Sequence, residues 1–219
     1  MAQSFGHSLV DIFASLVQVE CDDKRVKDAS GVRVDSKVKL FVDKELKKEV
    51  RGDLLFTNYG LSGLAILDIS YFVAKYKDKD ISLSVDLFPD ISLQELKSML
   101  QKRVKLKDIL EFDTWLGAIV HKKLIPLVVK TKAINQKTIN QLSFDMKNLK
   151  LTPKRVRDAK YAEIIAGGVN AKEVDSKTLE SKMVKGLYFG GEVLSVAGDR
   201  GGYNLHFAFG CAKVLSGYS

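Results

Sequence analysis

From Val32 onward the chain alternates apolar and polar positions through Val34, Val38, Leu40 and Val42. That is the period of two expected of half-buried β-strands. A polar turn at Asp43-Lys44-Glu45 and a return strand ending at Arg51-Gly52-Asp53 predict an antiparallel hairpin system, part of a small barrel. ISLSVDLF (81–88) alternates again and is stopped by Pro89. Between these strands, LSGLAILDISYFVAKY (61–76) is apolar on most faces, which predicts a largely buried helix with Ser62 as its N-cap.

The period changes after residue 91. Ser92 and Glu95 form an S-x-x-E capping box ahead of an apolar stripe at Leu93, Leu96, Met99 and Leu100. Helical spacing continues over Thr114 to Val129, where Pro126 ends or kinks the helix, and over Asn135 to Met146. After Pro153, RDAKYAEIIAGGVN and the apolar GLYFGGEV read as strands. The residues from Gly202 on read as a helix burying Leu205, Phe207, Ala208, Phe209, Ala212 and Leu215. Strands, then helices, then strands again place the chain in the α+β class with more than one domain.

Composition narrows this picture. With 219 residues and 46% hydrophobic content, the chain can form one large core or two small ones. Its net charge of +8 is segregated: residues 94–160 hold 16 Lys and Arg against 6 Asp and Glu, while the remainder holds 19 against 21. Such a segment either presents a solvated helical face or binds RNA or another polyanion. Cys21 and Cys211 are too far apart in sequence for a CxxC motif and are expected to be buried thiols. His7, His121 and His206 share no metal-ligand spacing, so no metal site is expected. No apolar run approaches the length needed to span a bilayer, and MAQSFGHSLV lacks a secretory pattern, so a cytoplasmic location is expected.

The candidate chemistry lies in glycine-rich turns. GDRGGYN (198–204) precedes the last helix, TNYGLSG (57–63) precedes an earlier one, and AGGVN (166–170) closes a strand. A turn of this kind is a tight connection, a phosphate cradle, or one side of a cofactor site completed elsewhere. GxxxxGK[ST] and GxGxxG are both absent, so no self-contained nucleotide fingerprint is present. Glu192, after two glycines, is either an exposed turn carboxylate or an acceptor for sugar or polyol hydroxyls. No Ser-His-Asp set or carboxylate pair has catalytic spacing, and the catalytic residues are unassigned.

GDLLFTNYGLSG and AGGVNAKEVDSKTLESKMVKGLYFGGEVLSVAGDRGGYNLHFAFGCA together resemble the bacterial BaiN-like, or aminoacetone oxidase-like, NAD(P)/FAD-dependent oxidoreductases. The resemblance runs in order over nearly the whole chain. It implies an FAD flavoprotein transferring hydride between a small-molecule substrate or NAD(P)H and the flavin. It further implies a β-barrel-like insert over residues 11–90 and 147–165, and a helical subdomain over 91–146. The C-terminal part of an FAD-binding domain would then occupy 166–219, with 1–10 as a remnant of that domain's helix. Carried over by position, Gly191 and Glu192 would meet the ribityl or phosphate part of FAD. Gly202, Tyr203, Asn204 and Leu205 would meet the isoalloxazine edge, and the N-terminus of the last helix would face the flavin. Thr57, Asn58, Gly60, Ser62, Gly63, Gly167 and Gly168 would lie near flavin or substrate. The family's GxGxxG unit has no counterpart here, so the chain is expected to be a C-terminal portion that holds FAD weakly or not at all, with an N-terminal FAD-binding half as its partner. Asn58, Leu64, Ser195 and Ala197 depart from the family's usual His, Pro and two Asp.

Overall fold

The computed structural model describes residues 1–106 and 109–217. Its elements are β1 (Leu9–Ser15), β2 (Val19–Glu20), α1 (Lys24–Asp28), β3 (Arg33–Val42), β4 (Glu45–Thr57), β5 (Gly60–Ser62), α2 (Leu64–Lys75) and β6 (Ile81–Asp86). There follow α3 (Leu93–Arg103), α4 (Phe112–Gly117), α5 (Ile125–Val128), α6 (Gln136–Lys147), β7 (Leu149–Leu151), β8 (Arg155–Val156), β9 (Ile164–Val169) and α7 (Tyr203–Ser216). They divide into an inserted unit, Gln18–Arg155, and a terminal unit made of Met1–Val17 and Val156–Ser219.

The inserted unit is built on a seven-stranded sheet ordered β7-β6-β3-β4-β5-β2-β8. Its open order makes it barrel-like without closure. The expected alternation is realised in β3, where Ser36, Val38, Leu40 and Val42 point inward and the lysines between them outward. Asp43 and Lys44 both take positive φ (49° and 70°) and form the tight turn into β4. The return strand does not stop at Asp53 as expected but runs to Thr57, because Leu54 and Phe56 continue the buried face.

α2 lays Ala65, Ile66, Ile69 and Val73 against β4. Its N-cap is Gly63, not Ser62: Ser62 is held in the β4–β5 ladder opposite Leu55, so the helix starts one residue later. At φ +90°, a Cβ on Gly63 would overlap the carbonyl of Asp53.

The helical part of this unit keeps the expected capping box, Ser92 hydroxyl to Glu95 N–H (3.2 Å) and Ser92 N–H to the Glu95 carboxylate (2.7 Å). The single helix expected over 114–129 is broken: α4 ends at Gly117, and Pro126 sits in the first turn of α5, where it starts a helix. Arg103 donates to the Trp115 carbonyl (3.1 and 2.9 Å) while the indole N–H of Trp115 returns a bond to the Arg103 carbonyl (2.8 Å), locking α3 to α4. α6 is tied to the sheet by Lys147. Its ammonium meets Asp86 (2.8 Å) and the carbonyls of Phe88 and Ile91 (2.7 and 2.6 Å), filling its three donor positions.

Both cysteines are buried, as expected. Burial, reinforced by Asp23 and Asp22, pushes the Cys21 thiol up to about 12. Little thiolate therefore exists near neutral pH. Iodoacetamide at pH 8 should leave Cys21 unmodified in the native chain and label it only after denaturation. Labelling of Cys21 at the rate of a free thiol would contradict this.

In the terminal unit β1 pairs antiparallel with β9, and a small core gathers Val169, Val174, Leu179, Leu194 and Cys211, with Phe189 and Phe207 packed against it. Only residues 164–169 of the expected strand after Pro153 are extended; Ala159–Tyr161 is a 3₁₀ turn. GLYFGGEV is not a strand. It makes one bridge, Glu180 to Tyr188, and then a 3₁₀ turn at Gly191–Val193. The last helix forms, but its expected burial does not: Leu205 is 68% and Phe209 74% exposed, and only Cys211 is buried. Among the described residues of the terminal unit none covers Leu205 or Phe209, so these apolar side chains stand in the open. Among the described residues no helix is long and apolar enough to cross a membrane.

Candidate functional site

The terminal unit contains a cleft of about 310 Å³ where β9, the Gly191–Val193 turn and the start of α7 converge. Glu163, Glu192, Arg200, Gly202, Asn204 and Leu205 are among its walls. Four of the six primary sequence candidates therefore line one cleft. Gly191 lies beside it, its built Cβ position 3.8 Å from the Ala208 Cβ. Tyr203 is exposed in the first turn of α7.

The local backbone explains the glycines. Gly202 caps α7 at φ +92°, and a Cβ there would meet nothing within 4 Å, so the bare backbone opens onto free space. The first intrahelical acceptor, the Gly202 carbonyl, receives His206 N–H (2.9 Å). The N–H groups of Tyr203, Asn204 and Leu205 thus lie in the first turn with no intrahelical partner, at the positive end of the helix dipole. Asn204 spends its side chain on the loop: its amide bridges the N–H (2.8 Å) and carbonyl (3.1 Å) of Gly198 and closes the turn. Glu192 accepts a bond from Ile165 N–H (2.7 Å) through one oxygen, which fixes the carboxylate at the cleft.

Gly167 and Gly168 have a structural reason of their own. Both take positive φ, and Cβ atoms on them would overlap the carbonyls of Asp11 and Val193 respectively. Thr57, Asn58, Gly60, Ser62 and Gly63 belong to the inserted unit. There the Thr57 hydroxyl is buried and makes no hydrogen bond, while Gly60 lies against the backbone of Val19 to Cys21.

Sequence reasoning missed a hydrogen-bonded set in the terminal unit centred on a buried histidine. His7, 2% exposed, sits with Nδ1 3.1 Å from the Glu173 carboxylate and Nε2 2.8 Å from the Ser181 hydroxyl, its ring edge-on to Phe189 (4.7 Å). Ser181 Oγ accepts from Met183 N–H (3.1 Å) and Val184 N–H (2.9 Å), which leaves its own proton for His7 Nε2 and assigns the imidazole proton to Nδ1. The Ser8 hydroxyl and N–H complete the shell of Glu173. The Ser8 hydroxyl above all, with Ser8 N–H and His7, holds that carboxyl below its ordinary range. No spacing in the sequence links positions 7, 173 and 181. Among the described residues no group of His, Cys, Asp and Glu could hold a metal ion.

The cleft combines apolar walls with Glu163, Glu192 and Arg200, and with a helix start whose first N–H groups have no intrahelical partner. An HI0933-like protein barrel and H2TH domain matches residues 13–164, more than half of the chain. The chain is 31% identical over 220 residues to the 3-dehydro-bile acid delta(4,6)-reductase of Clostridium scindens, covering 95% of this chain and 54% of that protein. It is 33% identical over 230 residues to the ribosomal RNA dihydrouridine synthase of Haemophilus influenzae (99% and 55%), and 29% identical over 223 residues to that of Escherichia coli (97% and 53%). The chain spans about half the length of the curated relatives it matches. It belongs to the BaiN-like family of flavoprotein oxidoreductases, which carries the HI0933-like barrel and H2TH domain.

Proposed function

We propose that the chain is the C-terminal portion of an FAD-dependent oxidoreductase and that the cleft at the start of α7 is its share of the flavin site. The observation that carries this reading is that Glu192 shares one cleft with Gly202, Asn204 and Leu205 at a helix start whose first N–H groups have no intrahelical partner. FAD, when bound, supplies hydride transfer, with NAD(P)H or a small-molecule substrate as the other party. The chain's own part is to bind and polarise. The α7 N-terminus places donors and a positive dipole end at the flavin's edge, which favours the anionic reduced form. Glu192, with one oxygen held by Ile165, offers the other to a ribityl hydroxyl. The apolar residues left open on α7, Leu205 and Phe209 among them, would meet an N-terminal FAD-binding half.

In a fluorescence titration the chain alone should bind FAD weakly or not at all. After addition of a polypeptide carrying the GxGxxG half, flavin should be retained through gel filtration. Glu192→Gln and Gly202→Val should each weaken that retention about ten-fold, the equivalent of roughly 1.4 kcal/mol. Retention untouched by both substitutions would overturn the site.

A second reading, a basic module that binds RNA or another polyanion, is favoured by the charge distribution. Lys102, Lys105, Lys122, Lys137 and Lys150 are exposed and pair with no carboxylate among the described residues. Lys107 lies outside the described residues. Two of the relatives are named as ribosomal RNA dihydrouridine synthases, which fits this reading.

A further inference from the structure

A second cleft, also of about 310 Å³, opens in the helical part of the inserted unit between α4, α6 and the segment joining α5 to α6. Phe112, Trp115, Val128, Ile134 and Leu142 give it apolar walls. Lys130 and Lys137 stand among its polar lining, and Lys132 lies 5.9 Å from the centre of the Phe112 ring. The carboxylate in the wall is already engaged by the cleft's own residues. Asp145 Oδ1 accepts from Gln141 (2.9 Å) and Lys130 (3.2 Å), whereas Oδ2, 3.1 Å from the same ammonium, is buried and makes no hydrogen bond.

These features select an occupant. Apolar walls with an aromatic ring take a flat ring system; Lys130 is paired with Asp145 and Lys132 with Asp113, which leaves Lys137, unpaired among the described residues, to take phosphate. A base joined to phosphates meets both demands, while an uncharged apolar ligand meets only the first. The cations also continue beyond the cleft. Gln101 bonds Gln136 (3.2 Å), which brings the end of α3, with Lys102 and Lys105, beside the start of α6, with Lys137.

We infer that this cleft is a subsite for one unstacked base of a single-stranded RNA whose phosphates run over Lys137, Lys102 and Lys105. The inference rests on the RNA-binding reading and deepens it. It makes no use of flavin, so it can fail or hold independently of the flavin site.

Trp115 is the sole tryptophan of the chain and lines the cleft, so its emission reports occupancy. The full chain should bind a labelled oligouridylate of about ten nucleotides at low salt with a change in Trp115 emission, and the affinity should fall steeply with added salt. Lys102→Glu with Lys137→Glu should weaken binding at least ten-fold and flatten the salt dependence by roughly 0.7 in log–log slope per lost phosphate contact. Position 137 is in the first turn of α6, where an acidic residue suits the helix dipole, but position 102 is in the last turn of α3, where it does not, so circular dichroism of the variant checks that its helices are kept. Phe112→Ala should weaken binding about ten-fold while leaving the salt slope unchanged. Salt-dependent binding with Trp115 emission unchanged, and no effect of Phe112→Ala, would overturn the subsite while leaving a basic surface. No binding at all would overturn both. Cholate changing the emission while oligouridylate does not would also overturn the inference, in favour of an amphipathic small molecule.

Discussion

Gly167→Ala should destabilise the terminal unit by about 3 kcal/mol or more, through strain in the left-handed region added to a backbone overlap. β1 and β9 run in register from Ser15 to Phe13 and again at Val10, with a break between. At that break Asp11 and Ile12 face the single residue Gly167, a bulge that bends β1 over β9. A Cβ on Gly167 would overlap the Asp11 carbonyl and come within 2.9 Å of the Ile12 Cα, and backbone atoms cannot swing aside. The comparison is Gly186→Ala. Gly186 has φ +81° but nothing within 4 Å of its Cβ position, so only the torsional cost applies, about 1 kcal/mol. Hydrogen exchange at the amides of Ile164 to Val169 separates the two: protection should collapse in the first variant and persist in the second. Equal loss in both would mean that the bulge is not under steric constraint.

That contrast shows where sequence reading stops. The alternation in β3 was legible because one face is buried and the other wet, and the Ser92 capping box because it is a local, four-residue device. The glycine-rich turns were legible as turns. Their reasons were not, since Gly167 answers to a carbonyl more than 150 residues earlier and Gly202 to open space. The burial of α7 was misread for a related cause. An apolar stripe predicts a covering surface, and among the described residues Leu205 and Phe209 of α7 have none. Pro126 likewise reads as a breaker inside a periodic stretch, but the preceding chain has already left the helix at Gly117, and proline suits a first turn. The cleft at α7 was recoverable in part because its residues cluster between 191 and 205. The walls it takes from Glu163 and Ile165 come through the β1–β9 pairing, which is a long-range fact.

His7→Ala should cost about 3 kcal/mol, from a lost buried ring and two lost hydrogen bonds, and Glu173→Gln should reveal the pH dependence of the same tie. The ring joins the first residues of the chain to the 173–189 segment that leads into Gly191 and Glu192, so the tie positions one wall of the proposed flavin cleft. Because the Ser8 hydroxyl, Ser8 N–H and His7 lower the Glu173 carboxyl in the folded chain, the unfolded chain binds the proton more tightly. The stabilisation is then complete above the ordinary carboxyl value, about 4.3, and is lost as pH falls through the lower folded value. Urea midpoints for the wild type should drop as pH is taken from about 6 toward 3. Glu173→Gln should lower the midpoint at pH 6 and flatten this drop, since the amide has no proton to take up. His7→Ala should lower the midpoint at pH 6 and leave the drop only partly reduced, because the Ser8 bonds to the carboxylate persist. A Glu173→Gln curve parallel to the wild type would show that acid sensitivity arises at other carboxylates with lowered values, such as Asp175. The tie would then be a packing contact without electrostatic weight.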